Sequence, residues 1–364
     1  MGRGTMGKLT PRQMVLAYLA LVFALPGIRG LALAQMLNGA YLVSSWLVDS
    51  LGLLVILLAF RGVDHLVHNR LKIWIPGHGR MSLVSIFLIR TGVVFLFFLP
   101  PLMVILQLHP VKVASREGPG SMGLDFEEVR LELNGTKIEG WYVPGKKVGA
   151  PVVLVAHGIG ANKQNFLYPV KMVNDLGYGV LIIDFRAHGD SRGMFSTLGF
   201  REAEDVKASF DWLLAREPGR PVYALGFSMG AAAVVHAQAK YGIFEKVVLD
   251  SCFESLQEMA GKQFLVIYGP LAPLGWKQLR FWAWGLTGVD PANNSPGQAI
   301  RGFGETPVLL IHGGADPLIP YDHSIRLSER LGGQADLWLV EEAGHVGSMV
   351  DPDYPGKLAR FFGR

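Results

Sequence analysis

Apolar residues are distributed differently in the two parts of this chain. Up to residue 108 they run almost unbroken, in stretches 14–37, 40–60 and 81–108, each near the roughly 20 residues that cross a hydrocarbon core. These stretches predict an all-α transmembrane region of about three spans over residues 1–108. Pro26-Gly27 and Arg29 interrupt the first stretch. A rival reading makes residues 1–34 a signal peptide, with Arg3, Lys8 and Arg12 before an apolar core and Ala32-Leu33-Ala34 as a cleavage-like site. From 109 to 123 Pro, Gly, Ser and charged residues take over, which reads as a linker.

Beyond residue 123 the period shortens. Residues 129–133 and 137–143 flank Asn134-Gly135, a two-residue hairpin signal. Short strand-like runs then alternate with helical stretches. The strands are 152–156, 180–185, 222–226, 246–250, 308–312 and 337–340; the helices are 163–176, 202–215, 229–240, 323–331 and 352–362. A hairpin followed by this alternation predicts an α/β domain over residues 124–364, a mostly parallel sheet flanked by helices. Segment 252–306 interrupts the alternation as an insertion. Gly269-Pro270, and Pro273 with Gly275, are expected to break it into short helices and to offer hinges.

Composition supports the membrane reading. The 364 residues are 50% hydrophobic and the mean hydropathy is +0.30, too apolar for a purely soluble chain. The net charge of +4 comes from scattered Lys and Arg, so a nucleic-acid partner is a poor fit. Arg3, Lys8 and Arg12 precede the first span, while Arg61, Arg70, Lys72 and Arg80 lie between the second and third. If both groups are cytoplasmic, three spans deliver the α/β domain to the outside of the cell membrane. Asp49 and Arg90 within apolar runs read as a helix-locking pair or as snorkelling side chains. The lone Cys252 excludes an internal disulfide and a cysteine metal cluster, and the histidines lack ligand spacing, so no metal or cofactor is implied.

The candidate chemistry gathers at Gly226-Phe227-Ser228-Met229-Gly230, a G-x-S-x-G pattern between a strand and a helix. A serine that attacks a carbonyl must stand on a tight turn, and flanking glycines permit the bend. Ser228 is the expected nucleophile. Its base is expected at His345, past the last strand, and the orienting acid at Asp316, past the strand before it. His188, His312 and His323 compete for the first role and Asp250 for the second. The oxyanion donors are expected at the amides of Met229 and of Ile159, in the loop His157-Gly158-Ile159-Gly160.

Together with Asp184-Phe185-Arg186-Ala187-His188-Gly189-Asp190-Ser191 and Gly344-His345, these motifs resemble the α/β-hydrolase superfamily. They are most similar to its membrane-anchored α/β-hydrolase-domain proteins and bacterial esterase relatives. The resemblance covers residues 124–364. It implies the α/β-hydrolase fold, a triad of Ser228, Asp316 and His345, a structural role for residues 184–191, and a helical cap at 252–306. Phe264, Tyr268, Trp276, Phe281, Trp282 and Trp284 in that cap would line an acyl pocket, rest on the bilayer interface, or simply pack on the domain. The expected activity is cleavage of a lipophilic carboxylic ester: a monoacylglycerol, lysophospholipid or acyl ester. Alternatives are a protein-acyl thioesterase and a noncatalytic binding module on a membrane anchor. Membrane lipids are expected partners; protein partners are open.

Overall fold

The structure is a computed structural model that describes residues 99–147 and 149–363. Most of the apolar N-terminal region, and with it Asp49 and Arg90, lies outside the described residues. Among the described residues no helix is long and apolar enough to cross a membrane. The chain divides into two compact units, Met1–Leu102 and Met103–Arg364. The second unit carries the sheet.

Eight strands form that sheet: β1 (Glu127–Leu133), β2 (Thr136–Val143), β3 (Val152–Ala156), β4 (Gly179–Ile183), β5 (Val222–Phe227), β6 (Lys246–Asp250), β7 (Val308–Gly313) and β8 (Ala335–Val340). Their spatial order is β1-β2-β4-β3-β5-β6-β7-β8. The β1–β2 and β2–β4 pairs are antiparallel and all the others parallel. Asn134 and Gly135 both take positive φ, 48° and 78°, as the tight hairpin between β1 and β2 requires. β3, β4 and β5 are buried at every position, which is why they read as continuous apolar runs and not as alternating ones. On one face Leu154, Leu181, Ala224 and Leu249 pack with Val206, Val234 and Leu327; on the other Val155, Ile182, Leu225 and Val248 pack with Val170, Leu358 and Phe361.

The longer helices are α1 (Leu99–Leu108), α2 (Leu167–Asp175), α3 (Glu202–Arg216), α4 (Met229–Tyr241), α5 (Leu256–Tyr268), α6 (Ala272–Thr287), α7 (Asp322–Leu331) and α8 (Tyr354–Gly363). Two differ from the sequence expectation. The helix expected from residue 163 opens as a 3-10 turn, Lys163–Phe166, capped by Asn162, and becomes α-helical at Leu167. Of the breaks expected in the insertion, the one at Gly269-Pro270 forms, as the 3-10 turn Gly269–Leu271, whereas α6 runs straight through Gly275 and ends at Thr287, before short turns over 291–293 and 296–302. Pro273 falls in the first turn of α6, where a missing N–H costs nothing. The segment expected as a linker is tied to the domain: Lys112 Nζ donates to Ser191 O, Asn162 Nδ2 to Val113 O (2.8 Å) and Arg116 N–H to Gln164 Oε1 (2.6 Å).

Strand order fixes where a site can form. The chain leaves β3 for β4 on one side, then returns to lay β5 on the other, so the strand order reverses about β3. Such a reversal leaves a crevice at the carboxyl ends of the two strands. Because Ala156 pairs with Gly226, that crevice lies between the loop from His157 and the turn at Ser228.

Candidate active site

Ser228 bridges β5 and α4 with φ 53° and ψ −117°, a conformation that side chains disfavour. The turn closes only because its neighbours lack side chains. A Cβ on Gly226 would fall 2.6 Å from Ala231 Cα, and one on Gly230 would fall 2.2 Å from Ala156 O. The Ser228 N–H donates to Asp250 O (2.8 Å), which ties the turn to the end of β6.

Three side chains expected to act together do meet. His345 Nε2 lies 2.9 Å from Ser228 Oγ, and His345 Nδ1 lies 2.7 Å from Asp316 Oδ2. A carboxylate on Nδ1 fixes the proton there, which leaves Nε2 to accept the serine hydroxyl. Asp316 sits in the turn after β7, where its Oδ1 accepts the N–H groups of Leu318 and Ile319, both at 2.9 Å. Burial alone would raise its pKa, but hydrogen bonds from His312 and His345 outweigh burial and hold the carboxyl below its usual range. Asp316 is therefore ionised at neutral pH.

The competing residues are held by other partners. His312 is fixed by Ser324 Oγ and Ile319 O, both at 2.7 Å, and its Nε2 also stands 3.5 Å from Asp316 Oδ2. His188 Nδ1 meets Arg186 O, and His323 Nδ1 accepts from Glu254 N–H. Donor atoms of Glu254, Glu258 and His323 lie within 4.8 Å of one another, a spacing that could hold a metal ion. The guanidinium of Arg326 already bonds both carboxylates, and Arg330 adds a second to Glu254, so a further cation finds its counter-charge taken. Asp250 is fully buried, and its carboxylate accepts hydrogen bonds from Ser251 Oγ and Tyr354 Oη, both at 3.0 Å.

The glycine loop after β3 lies against Ser228. A Cβ on Gly158 would stand 3.4 Å from Ser228 Cβ. Among the described residues neither the Met229 nor the Ile159 amide N–H has a hydrogen-bond partner. The first is unpaired because the opening N–H groups of a helix have no carbonyl one turn back. The loop is held by His157, a residue given no role from the sequence: its Nδ1 lies 2.7 Å from Gly158 O and its Nε2 accepts Phe185 N–H at 3.1 Å. Burial, with His188 nearby, lowers the His157 pKa to about 3, so the ring is neutral and its tautomer is set by these two bonds. Beyond it, Asp184 accepts the Lys163 backbone N–H (2.6 Å), Lys163 Nζ (2.7 Å) and the Asp190 N–H (2.8 Å). Residues 184–191 thus form a buried brace.

The cap aromatics divide. Phe264 is buried and meets Trp276 edge to face at 6.5 Å. Trp276 lines a narrow apolar cavity of about 20 Å³ with Val104, Leu108, Leu198, Leu256 and Leu279. Phe281, Trp282 and Trp284, for which pocket wall, bilayer interface and packing on the domain were all open, are 63%, 38% and 59% exposed. Helical periodicity accounts for this: Leu279 and Ala283 take the inward face of α6, which turns these three outward. Tyr268 ends α5, and its side chain lies outside the described residues.

A G-x-S-x-G elbow at the strand reversal, with this sheet order, is decisive when joined to one further finding. The model of the Alpha/beta hydrolase family matches residues 152–361. The chain belongs to the alpha/beta hydrolase family. Its similarity extends to the lysophosphatidylserine lipase ABHD12 of Xenopus tropicalis, 30% identical over 201 residues, which are 52% of this chain and 49% of that lipase. It is 29% identical over 219 residues to the uncharacterised YqkD of Bacillus subtilis, covering 58% of this chain and 70% of YqkD. Among solved structures, the Pyrococcus furiosus esterase Pf2001 aligns with a TM-score of 0.57 at 23% identity, over 71% of this chain and 99% of the esterase. That likeness is one of fold. The chain spans about half the length of the lipases it matches.

Proposed function

We propose that this alpha/beta hydrolase is a membrane-bound serine hydrolase of lipophilic carboxylic esters, with Ser228 as nucleophile, His345 as base and Asp316 as orienting acid. The observation that carries this reading is the continuous relay of 2.9 Å and 2.7 Å from hydroxyl through imidazole to carboxylate. Ser228 Oγ attacks the acyl carbon as His345 Nε2 takes the hydroxyl proton, and the negative oxygen is met by the Met229 and Ile159 amides. Asp316 stabilises the imidazolium. That proton then passes to the departing alcohol, leaving an acyl-Ser228 ester. Water, activated by the same imidazole, releases the acid and restores the serine.

A lysophospholipid is the favoured substrate class, because the related lipases carry lysophosphatidylserine in their name and the cap exposes Phe281 and Trp284 to meet a lipid surface. Residues 1–108 would be the membrane anchor, with the hydrolase domain on the outer side of the cell membrane. The test is fluorophosphonate labelling and hydrolysis of a lysophospholipid series by the purified chain and its Ser228→Ala variant. Labelling and turnover lost in the variant, with melting temperature unchanged, are expected; labelling retained at full rate would falsify the nucleophile. A labelled protein that turns over acyl thioesters in preference to esters would redirect the reading to a thioesterase. No labelling of the wild type would leave a binding module.

A further inference from the structure

Around the relay, three residues other than glycine adopt positive φ: Ser228 at 53°, Ser251 at 56° and Val346 at 57°. Val346, at φ 57° and ψ 8°, is strained because a branched Cβ crowds the left-handed region. It directly follows His345, so its dihedral sets the direction in which the loop carrying the imidazole leaves that residue. Such a conformation persists only where surrounding bonds impose it.

Those bonds converge on one carboxylate. The Val346 N–H donates to Ser251 Oγ (3.2 Å), whose own hydroxyl donates to Asp250 Oδ1 (3.0 Å). Ser348 Oγ, two residues further along the loop, meets the same Oδ1 at 3.4 Å, and Tyr354 Oη at the start of α8 donates to Oδ2 at 3.0 Å. The backbone of the same residue accepts the Ser228 N–H (2.8 Å). Asp250 therefore touches the nucleophile's main chain with its carbonyl and gathers the loop after His345 with its side chain. Every hydroxyl on that carboxylate comes from this loop, from α8 behind it, or from the serine that holds Val346.

We propose that Asp250 is a positioning residue: acting through Ser251, Ser348 and Tyr354, its carboxylate holds Val346 in its strained conformation and so aims His345 at Ser228. This rests on the reading of Ser228 as nucleophile. Asp250 touches no reacting atom, which separates its role from that of Asp316.

The experiment removes the hydroxyl that links Val346 to the carboxylate, in the full chain, with a short p-nitrophenyl ester as substrate. Ser251→Ala should lower kcat about tenfold with KM within about twofold, a loss of the size that a small misplacement of a catalytic group causes. In a Val346→Gly background the same substitution should lower kcat less than about threefold, because glycine holds that φ unaided. Ser251→Gly, which removes the hydroxyl while easing φ at residue 251, keeps the test available if Ser251→Ala does not fold, and should show the same kcat loss. An unchanged kcat in the folded Ser251 variants, or an equal loss in both backgrounds, overturns the proposal. Turnover retained in Ser228→Ala overturns the nucleophile and this inference with it. Turnover lost there but intact in the Ser251 variants overturns this inference alone.

Discussion

Gly230→Ala probes whether the elbow and the oxyanion loop are set against each other by backbone contact. The added Cβ would fall 2.2 Å from Ala156 O and 2.5 Å from His157 O, where ordinary contact begins near 3.4 Å, so the two segments must part by about 1 Å. Neither neighbour can swing aside. Both are main-chain atoms at the end of β3, and Ala156 is held in the ladder opposite Gly226. Overpacking of this kind costs about 1–3 kcal/mol, and a domain of this size loses roughly 2–4 °C of melting temperature for each. The functional cost is larger. Displacing the loop shifts the Ile159 amide from Ser228, and a misplacement of about 1 Å costs on the order of 10²-fold in rate. Melting temperature and kcat on a short ester read the two effects. Gly261→Ala supplies the opposite sign: within α5 nothing lies within 4 Å of its new Cβ, so alanine should add about 0.5–1 kcal/mol and leave kcat alone. If Gly230→Ala matches the wild type in both measurements, close packing does not set this geometry.

Three further outcomes follow from buried charge and from the exposed cap. His157, lowered to about 3 by burial, binds its proton less tightly folded than unfolded, so its stabilisation is full above its ordinary 6.5 and is lost as pH falls through about 3. Asp205 and Asp250, pushed up to about 6 by burial, act in the opposite sense, stabilising below their ordinary 3.8 and losing that contribution as pH rises through about 6. Urea midpoints at pH 7 and pH 4.5 should therefore show a smaller acid loss in His157→Gln than in the wild type, and an undiminished loss refutes the assignment. Lys163→Met strips a buried ammonium from the buried Asp184 carboxylate and should cost about 3–5 kcal/mol in chemical denaturation, a loss that Lys163→Met with Asp184→Asn partly recovers. A cost under about 1 kcal/mol would mean the pair is solvated. Phe281→Ser with Trp284→Ser should slow hydrolysis of a lysophospholipid held in vesicles while short-ester kcat stays level and stability moves within about 0.5 kcal/mol; equal loss on both substrates rules out the interface role.

The elements legible in the sequence are those where one local rule decides the structure. Asn134-Gly135 reads as a tight turn because both residues tolerate positive φ, and Gly226 to Gly230 as a sharp bend, because a Cβ at Gly226 or Gly230 collides with main chain. The wholly buried strands β3, β4 and β5 announce themselves as continuous apolar runs. The cap is harder to read. Every second or third residue of α6 is apolar, and sequence alone does not say which side of the helix meets the domain; Leu279 and Ala283 went in, and Trp284 stayed out.

Hardest to read are the residues whose work depends on distant partners. His157 was visible as part of a glycine loop, but its brace needs Phe185, 28 residues on. Asp250 was visible as a strand end, but the hydroxyls around it come from residues 251, 348 and 354. No spacing rule joins positions a hundred residues apart. The sheet does so by registering β5 beside β6 and β6 beside β7, which stacks their carboxyl ends so that the loops that follow must share one crevice. A sequence reader can therefore name the candidate nucleophile from five residues, while the groups proposed to aim its base become visible only after the strand order is known.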